Sequence, residues 1–244
     1  MSSSPPRVAL ISGATRGIGY EIARGLGHAG FVVLLGARDM DSGIAAAAKL
    51  RGDGLDANPI QLDLTRSSSI QDAAKRIEAT FGKLDALINN AAIAALGDGS
   101  PTQADMAAIR RIMDTNFFGA VEVTRAMLPL LRRSPAGRIV NVSSDLGSLA
   151  LNADRYSVSA QFQRLGYASS KAALNMLTIQ LANELRDTAI LVNSVNPGFA
   201  ATDLHGLPGN VSATEASREP VRLAMLPDGG PNGRFFEDEA PLAW

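Results

Sequence analysis

Six apolar runs recur along the chain, and each gives way to a segment of different periodicity. They are RVALISG (7–13), FVVLLGAR (31–38), NPIQLDL (58–64), LDALINNA (84–91), GRIVNVSS (137–144) and ILVNSVNP (190–197). Continuous runs rich in β-branched residues suit strands buried on both faces of a parallel sheet. The segments between them have helical spacing. Residues 17–30 place Ile18, Ile22 and Leu26 on one face, and 42–52 form an Ala-rich stretch stopped by Gly52. Residues 67–82 open on serines and close on glycine, as a capped helix does. A long helical region covers 103–133 with Pro129 near its end, and another helix covers 167–186. The last third is looser, with Pro/Gly breaks at 206–209 and 227–233, a helix at 212–226 and a short apolar piece at Phe235-Phe236. No linker or fixed-period repeat interrupts this order. Parallel strands need crossover connections, so the alternation predicts one α/β domain built on a doubly wound sheet.

Composition narrows the function. The chain has 244 residues, is 46% hydrophobic and carries a formal charge of −1. Without a clustered basic face, nucleic-acid binding is not expected. The absence of cysteine removes disulfides, thiolate metal sites and a thiol nucleophile, and only two histidines, His28 and His205, are available. No metal site is therefore expected. MSSSPPR lacks the apolar core of a signal peptide, and no apolar run approaches about 18 residues. The expectation is a soluble cytoplasmic protein with a flexible N-terminus over residues 1–6.

Between the first strand and the first helix lies SGATRGIG (12–19), with Gly13, Gly17 and Gly19. Glycine permits positive φ and close backbone approach, and the helix beyond offers free N–H groups to a phosphate. A dinucleotide pyrophosphate site is one reading; a tight strand–helix turn is the other. The second strand ends in Ala37 and Arg38, where an NAD site usually carries an acid for the ribose 2′-OH. Arg16 and Arg38 together can clamp a 2′-phosphate, which favours NADP(H). Asp39 leaves an alternative open, since it can pair with Arg38 or reach the ribose itself. Asp63-Leu64 and Asn89-Asn90 close the third and fourth strands on the same rim. Asp63 can accept from the adenine amino group and Asn90 can meet the ribose, while Asn89 can equally serve neighbouring backbone.

Ser143 and Ser144 close the fifth strand, and alternation aims one of them at the cleft. In GYASSK (166–171), Tyr167 and Lys171 are i and i+4 on a helix and share a face. An ammonium near a phenol lowers the phenol pKa from about 10, which makes Tyr167 a candidate proton donor and acceptor. The pair can also be a plain surface contact.

SGATRGIG, LDL, NNA, DTNFFG, GRIVNVSS, YASSK and NPGFAATD stand in one order along the chain, and with them the sequence resembles the short-chain dehydrogenase/reductase family. Within it the ending LPDGGPNGRFF is similar to the NADPH-dependent carbonyl reductase-like branch. The resemblance implies a single Rossmann-fold domain over 1–244, with a mostly seven-stranded parallel sheet and helices on both faces. It implies a tetrad of Asn116, Ser144, Tyr167 and Lys171. Tyr167 would be the general acid/base, Lys171 would tune it and hold the nicotinamide ribose, and Asn116 would anchor a water. The cofactor contacts would be Gly13, Thr15, Arg16, Gly17, Ile18, Gly19, Arg38, Asp63, Leu64, Asn90, Ala91, Tyr167, Lys171, Pro197, Gly198 and Thr202. Three features depart from the pattern. Ser12 replaces threonine, Ala92 replaces glycine, and Ser144 lies 23 residues before Tyr167, farther than the family usually places it. The surplus falls at 151–166, which reads as an insertion. Its Tyr156 and Phe162 form either a substrate wall, a shield over an oligomer face, or part of a solvated loop. The expected activity is NADPH-dependent reduction of an aldehyde or ketone. Alcohol oxidation by the same groups is the alternative, and a non-catalytic nucleotide sensor is a third that the retained Tyr167 and Lys171 disfavour. Whether the protein is a monomer or a homo-oligomer is left open.

Overall fold

Residues 6–200 and 209–244 are described by the computed structural model. The first apolar run forms β1 (Arg7–Ser12). Val8 and Leu10 enter one core, Ala9 and Ile11 the other. Two-sided burial is why the run is apolar at every position. β2 (Phe31–Ala37) is buried throughout for the same reason. β3 (Ala57–Gln61), β4 (Ala86–Asn89), β5 (Arg138–Val142), β6 (Leu191–Val195) and β7 (Arg234–Glu237) complete a parallel set in the order β3-β2-β1-β4-β5-β6-β7. The seven expected parallel strands are present. The short piece at Phe235-Phe236 is the seventh. One strand is additional: β8 (Ala240–Pro241) pairs antiparallel with β7. Asp238 and Glu239 make the turn between them at φ 45° and 66°, the left-handed region that tight hairpins use.

Helices cover both faces. α1 (Gly17–His28) and α2 (Met40–Gly52) pack Ile22, Leu26, Ala46 and Leu50 onto one core. α3 (Ser67–Phe81) packs Ile70 and Ile77 onto the other. The region expected as one helix over 103–133 is a continuous run of three pieces. α4 (Met106–Met113) is capped by Asp105, which accepts from Ala107 N at 3.0 Å. A π-helical turn, Asp114–Phe118, follows, and α5 (Gly119–Leu131) ends the run and contains Pro129. The wide turn brings the Gly119 N–H to the Asp114 carbonyl. α6 (Leu149–Ala153) is short, and α7 (Leu165–Glu184) starts two residues before its expected start. The helix expected at 212–226 is broken at Ser217 into α8 (Ala213–Ala216) and α9 (Arg218–Ala224).

β1 pairs with β2 on one side and β4 on the other. Strand order reverses there, which opens a crevice beyond the C-terminal ends of the strands.

Candidate active site

The glycine turn is the floor of that crevice. Gly13 and Gly17 have φ of 65° and 57°. A Cβ on Gly13 would meet Ala91 Cβ at 2.9 Å, and one on Gly19 would overlap the Gly13 carbonyl and Asn90 Nδ2. Ser12, buried at the end of β1, braces the turn. Its Oγ accepts from Asn90 N and Ala91 N, both at 3.0 Å. Asn90 Nδ2 donates to the carbonyls of Ser12 at 2.9 Å and Gly13 at 3.2 Å. The Asn90 amide is therefore engaged in holding the turn, and Ala91 shapes it by contact. Ala92 has no left-handed backbone, so the alanine in place of the family's glycine fits without strain. Asn89 does not face the crevice; it donates to Thr124 at 3.0 Å and Asn141 at 2.8 Å within the buried layer.

Arg16 stands at the N-cap of α1, beside Thr15, Gly17 and Ile18. Arg38 follows β2 on the same rim, exposed, with its carbonyl accepting from Gln61 Nε2 at 2.6 Å. Asp39 feels the Arg38 charge, but its hydrogen bonds go to α2. It caps α2 by accepting from Ser42 N at 3.1 Å and from the Ser42 hydroxyl. Those two bonds hold its carboxyl below the usual range. Asp63 is likewise occupied. Thr65 Oγ1 donates to it at 2.7 Å, Thr65 N at 3.0 Å, and Arg66 pairs with it at 3.1 Å. Burial pushes the Asp63 carboxyl up, but the Thr65 bonds and the charges of Arg66 and Arg38 leave it lowered on balance. Leu64, Thr65, Arg38 and Ile93 line an open cavity of about 410 Å³ together with Arg111 and Thr115. The turn is shaped for backbone approach, and both arginines stand at its rim. These residues fit a dinucleotide bearing a 2′-phosphate.

Beyond β5, the two serines separate. Ser143 is buried and donates to the Lys171 carbonyl at 3.3 Å. Ser144 faces the cleft, accepts from Leu146 N at 3.2 Å and donates to Asp145 Oδ1 at 3.0 Å. It also hydrogen-bonds the Tyr167 hydroxyl. Tyr167 and Lys171 lie in the first turns of α7, and both are buried. Lys171 Nζ sits 5.6 Å from the Tyr167 ring centroid and donates to the Val142 carbonyl at 2.7 Å. Here the structure corrects an expectation. Burial first, then the Asp145 charge, raise the Tyr167 pKa, and the Ser144 hydrogen bond pulls only partly back. Lys171 is itself lowered to about 7 by burial, so it is a weakened cation over the ring face and not a strong charge beside the oxygen.

Asn116 lies in the π-helical turn, fully buried. Its Oδ1 accepts from Ile93 N at 2.8 Å, and its Nδ2 donates to the Ile93 carbonyl at 3.0 Å and Ser170 Oγ at 3.1 Å. The side chain thus ties the loop after β4 to α7. Pro197 and Gly198 follow β6 at the same end of the sheet, Gly198 at φ 74°. Thr202 and Leu204 fall outside the described residues. Two residues that the sequence reading passed over complete the site. Asp98 accepts from Gly166 N at 2.7 Å and Tyr167 N at 3.0 Å, capping the helix that carries the tyrosine. Asp145 joins Ser144 to Ser159, whose Oγ donates to it at 2.8 Å. Neither stands out locally: Asp98 caps α7 from 68 residues away, and Asp145 is linked to Ser159 across 14. Within 151–166, Tyr156 is exposed with Arg155 over its ring at 5.3 Å, and Phe162 is exposed too.

Comparison with known proteins agrees with this arrangement. Residues 7–208 match the family model of the short chain dehydrogenases. Carbonyl reductase (NADPH) 1 of Mus musculus is 34% identical, with all of both chains covered. The (−)-isopiperitenone reductase of Mentha piperita is 33% identical, covering 97% of this chain and 98% of its own. The NADPH-bound carbonyl reductase from chicken fatty liver superimposes with a TM-score of 0.85 at 26% identity, over 99% of this chain and 100% of that one. On the match of its model, its relatives and its fold, the chain belongs to the short-chain dehydrogenase/reductase family.

Proposed function

We propose that the protein is an NADPH-dependent reductase of aldehydes or ketones, with Tyr167 as the general acid. The observation that carries this reading is the meeting of Ser144, Tyr167 and Lys171 at the end of β5, on the crevice floored by the glycine turn. The names of its relatives support it, since carbonyl reductases matched over nearly their whole length are among them.

Gly13, Gly17 and Gly19 let the main chain close on a pyrophosphate, and the N-terminus of α1 faces it. Arg16 and Arg38 hold the 2′-phosphate. Thr15, Ile18, Leu64, Asn90 and Ala91 shape the adenosine side, and Pro197, Gly198 and Thr202 the nicotinamide side. Bound NADPH supplies the hydride for the carbonyl carbon. The chain's own part is to orient the carbonyl and to supply the proton. Tyr167 and Ser144 direct their hydroxyls at the carbonyl oxygen as charge gathers there, and Tyr167 releases its proton to it. A raised phenol pKa keeps Tyr167 protonated at neutral pH, with its proton available to give. Lys171, held by the Val142 carbonyl, is positioned to replace part of the lost charge and to meet the ribose. Asn116 keeps the loop and α7 in register. Alcohol oxidation uses the same groups in reverse, and the cellular cofactor ratio sets which direction runs.

The test is a panel of aldehydes, ketones and quinones assayed with NADPH and NADH in parallel. Turnover with NADPH in the wild type, and its fall by about 10²-fold or more in Tyr167→Phe with NADPH binding retained, is the expected result. Full activity in that variant would overturn the assignment.

A further inference from the structure

Asp145 directly follows Ser144 and shares its hydroxyl proton. A serine hydroxyl carries one proton, and two oxygens stand where they can take it. One is Asp145 Oδ1, 3.0 Å from Ser144 Oγ. The other is the Tyr167 oxygen, which Ser144 also meets. When the proton points at Asp145, Ser144 offers Tyr167 a lone pair, and the phenol must act as donor. When Tyr167 is a phenolate, Ser144 must turn its proton to it and leave Asp145.

The carboxylate is fixed in this competing position from three sides. Leu146 N donates to Oδ1 at 2.9 Å, Ser159 Oγ donates to Oδ2 at 2.8 Å, and Ser144 supplies the third bond. Among the described residues no arginine or lysine forms an ion pair with it. The other charged groups around the pair are Lys171 on α7, Asp98 at the N-terminus of α7, and Glu237 and Asp238 at the end of β7. Glu237 is itself raised, by burial first and then by Asp145 and Asp238, against a hydrogen bond from Asn196. The tie to Ser159 also gives the 151–166 segment a hold on the catalytic serine.

We propose that Asp145 is a positioning residue: anchored by Ser159, it competes with Tyr167 for the Ser144 proton and so keeps the Tyr167–Ser144 pair polarised for giving a proton to a carbonyl. It rests on the reductase reading for its consequence, but its test does not need turnover. Proton donation by the phenol is retained to higher pH, and phenolate, the base that alcohol oxidation needs, forms later.

The chain has three tyrosines. Tyr20→Phe and Tyr156→Phe leave Tyr167 as the sole one. Fluorotyrosine incorporated in that background, with NADP+ bound, gives a fluorine NMR titration of the phenol. Asp145→Asn keeps the side-chain shape and removes the charge. The expected result is a titration midpoint lower by about one pH unit or more. Repeating the comparison in Ser144→Ala should give a smaller shift, because the contested proton is gone. Coincident midpoints in Asp145→Asn and its parent overturn the proposal; equal shifts with and without Ser144 overturn the competition and leave charge alone as the cause. The kinetic counterpart is a move of the acid limb of alcohol oxidation and the alkaline limb of ketone reduction to lower pH together. A wild type that reduces no carbonyl refutes the reductase reading instead, while the titration still decides the role of Asp145.

Discussion

Lys171 has exchanged bulk water for the Val142 carbonyl and the face of a phenol ring. Burial brings its pKa from 10.5 to about 7. Between those values the unfolded chain holds a proton that the folded chain has released, so stability rises with pH across that window. Below about pH 7 both states are protonated and the full cost of burying the charge is felt. Lys171→Met should flatten this part of a curve of denaturant midpoint against pH; an unchanged slope would show that the lysine is not the group responsible. At the other end of the crevice, Arg38 is exposed beside Asp39, whose carboxylate caps α2. Arg38→Ser should weaken NADPH binding by about 10-fold or more, the loss of a charge-assisted contact, and leave NADH binding nearly unchanged by calorimetry. Equal losses for both cofactors would place Arg38 elsewhere than at the 2′-phosphate.

α7 shows how a helix can be set from outside itself. Its own N-cap, Arg164, supplies no side-chain bond, and Asp98 satisfies two first-turn N–H groups from the loop after β4. Asp98→Ala should cost about 1–2 kcal/mol in chemical denaturation and lower kcat as well, because Tyr167 sits on the freed turn. Much of the element plan was legible: β1 and β2 are apolar at every position because both faces are covered, and that pattern needs no tertiary information. Gly13, the Ser143-Ser144 pair, Tyr167 and Lys171 were legible as candidates from their places at strand ends or one helical turn apart, and the family resemblance singled out Ser144. What escaped was non-local. The π-helical turn at Asp114–Phe118 keeps helical composition, so 103–133 reads as one helix. β8 is two residues long and has no period to detect. The caps by Asp98 and the Ser159 bond to Asp145 span gaps that no local pattern encodes. The upward shift of Tyr167 follows from depth of burial, which the i, i+4 spacing alone does not reveal.

At the scale of the whole molecule, the sheet separates two cores and its far edge closes back on the cleft. Phe235, fully buried on β7, stacks with Trp244 at a centroid distance of 5.5 Å, and the Trp244 carbonyl accepts from Ala150 N at 2.9 Å. The C-terminal residues thereby hold α6, which leads into the 151–166 segment. Trp244→Ala should lower stability by about 1 kcal/mol, read by circular dichroism as a lower denaturant midpoint with an unchanged slope. A changed slope would mean that the edge of the sheet has loosened in the native state. Strand order also carries a timing. β1 is made first, yet it sits between β2 and β4, and the turn that Ser12 braces is finished only when Asn90 and Ala91 arrive. Lys171 follows Ala91 by 80 positions in the sequence. During synthesis from the N-terminus, every strand and loop that shapes the glycine turn is therefore made before Tyr167 and Lys171 are added.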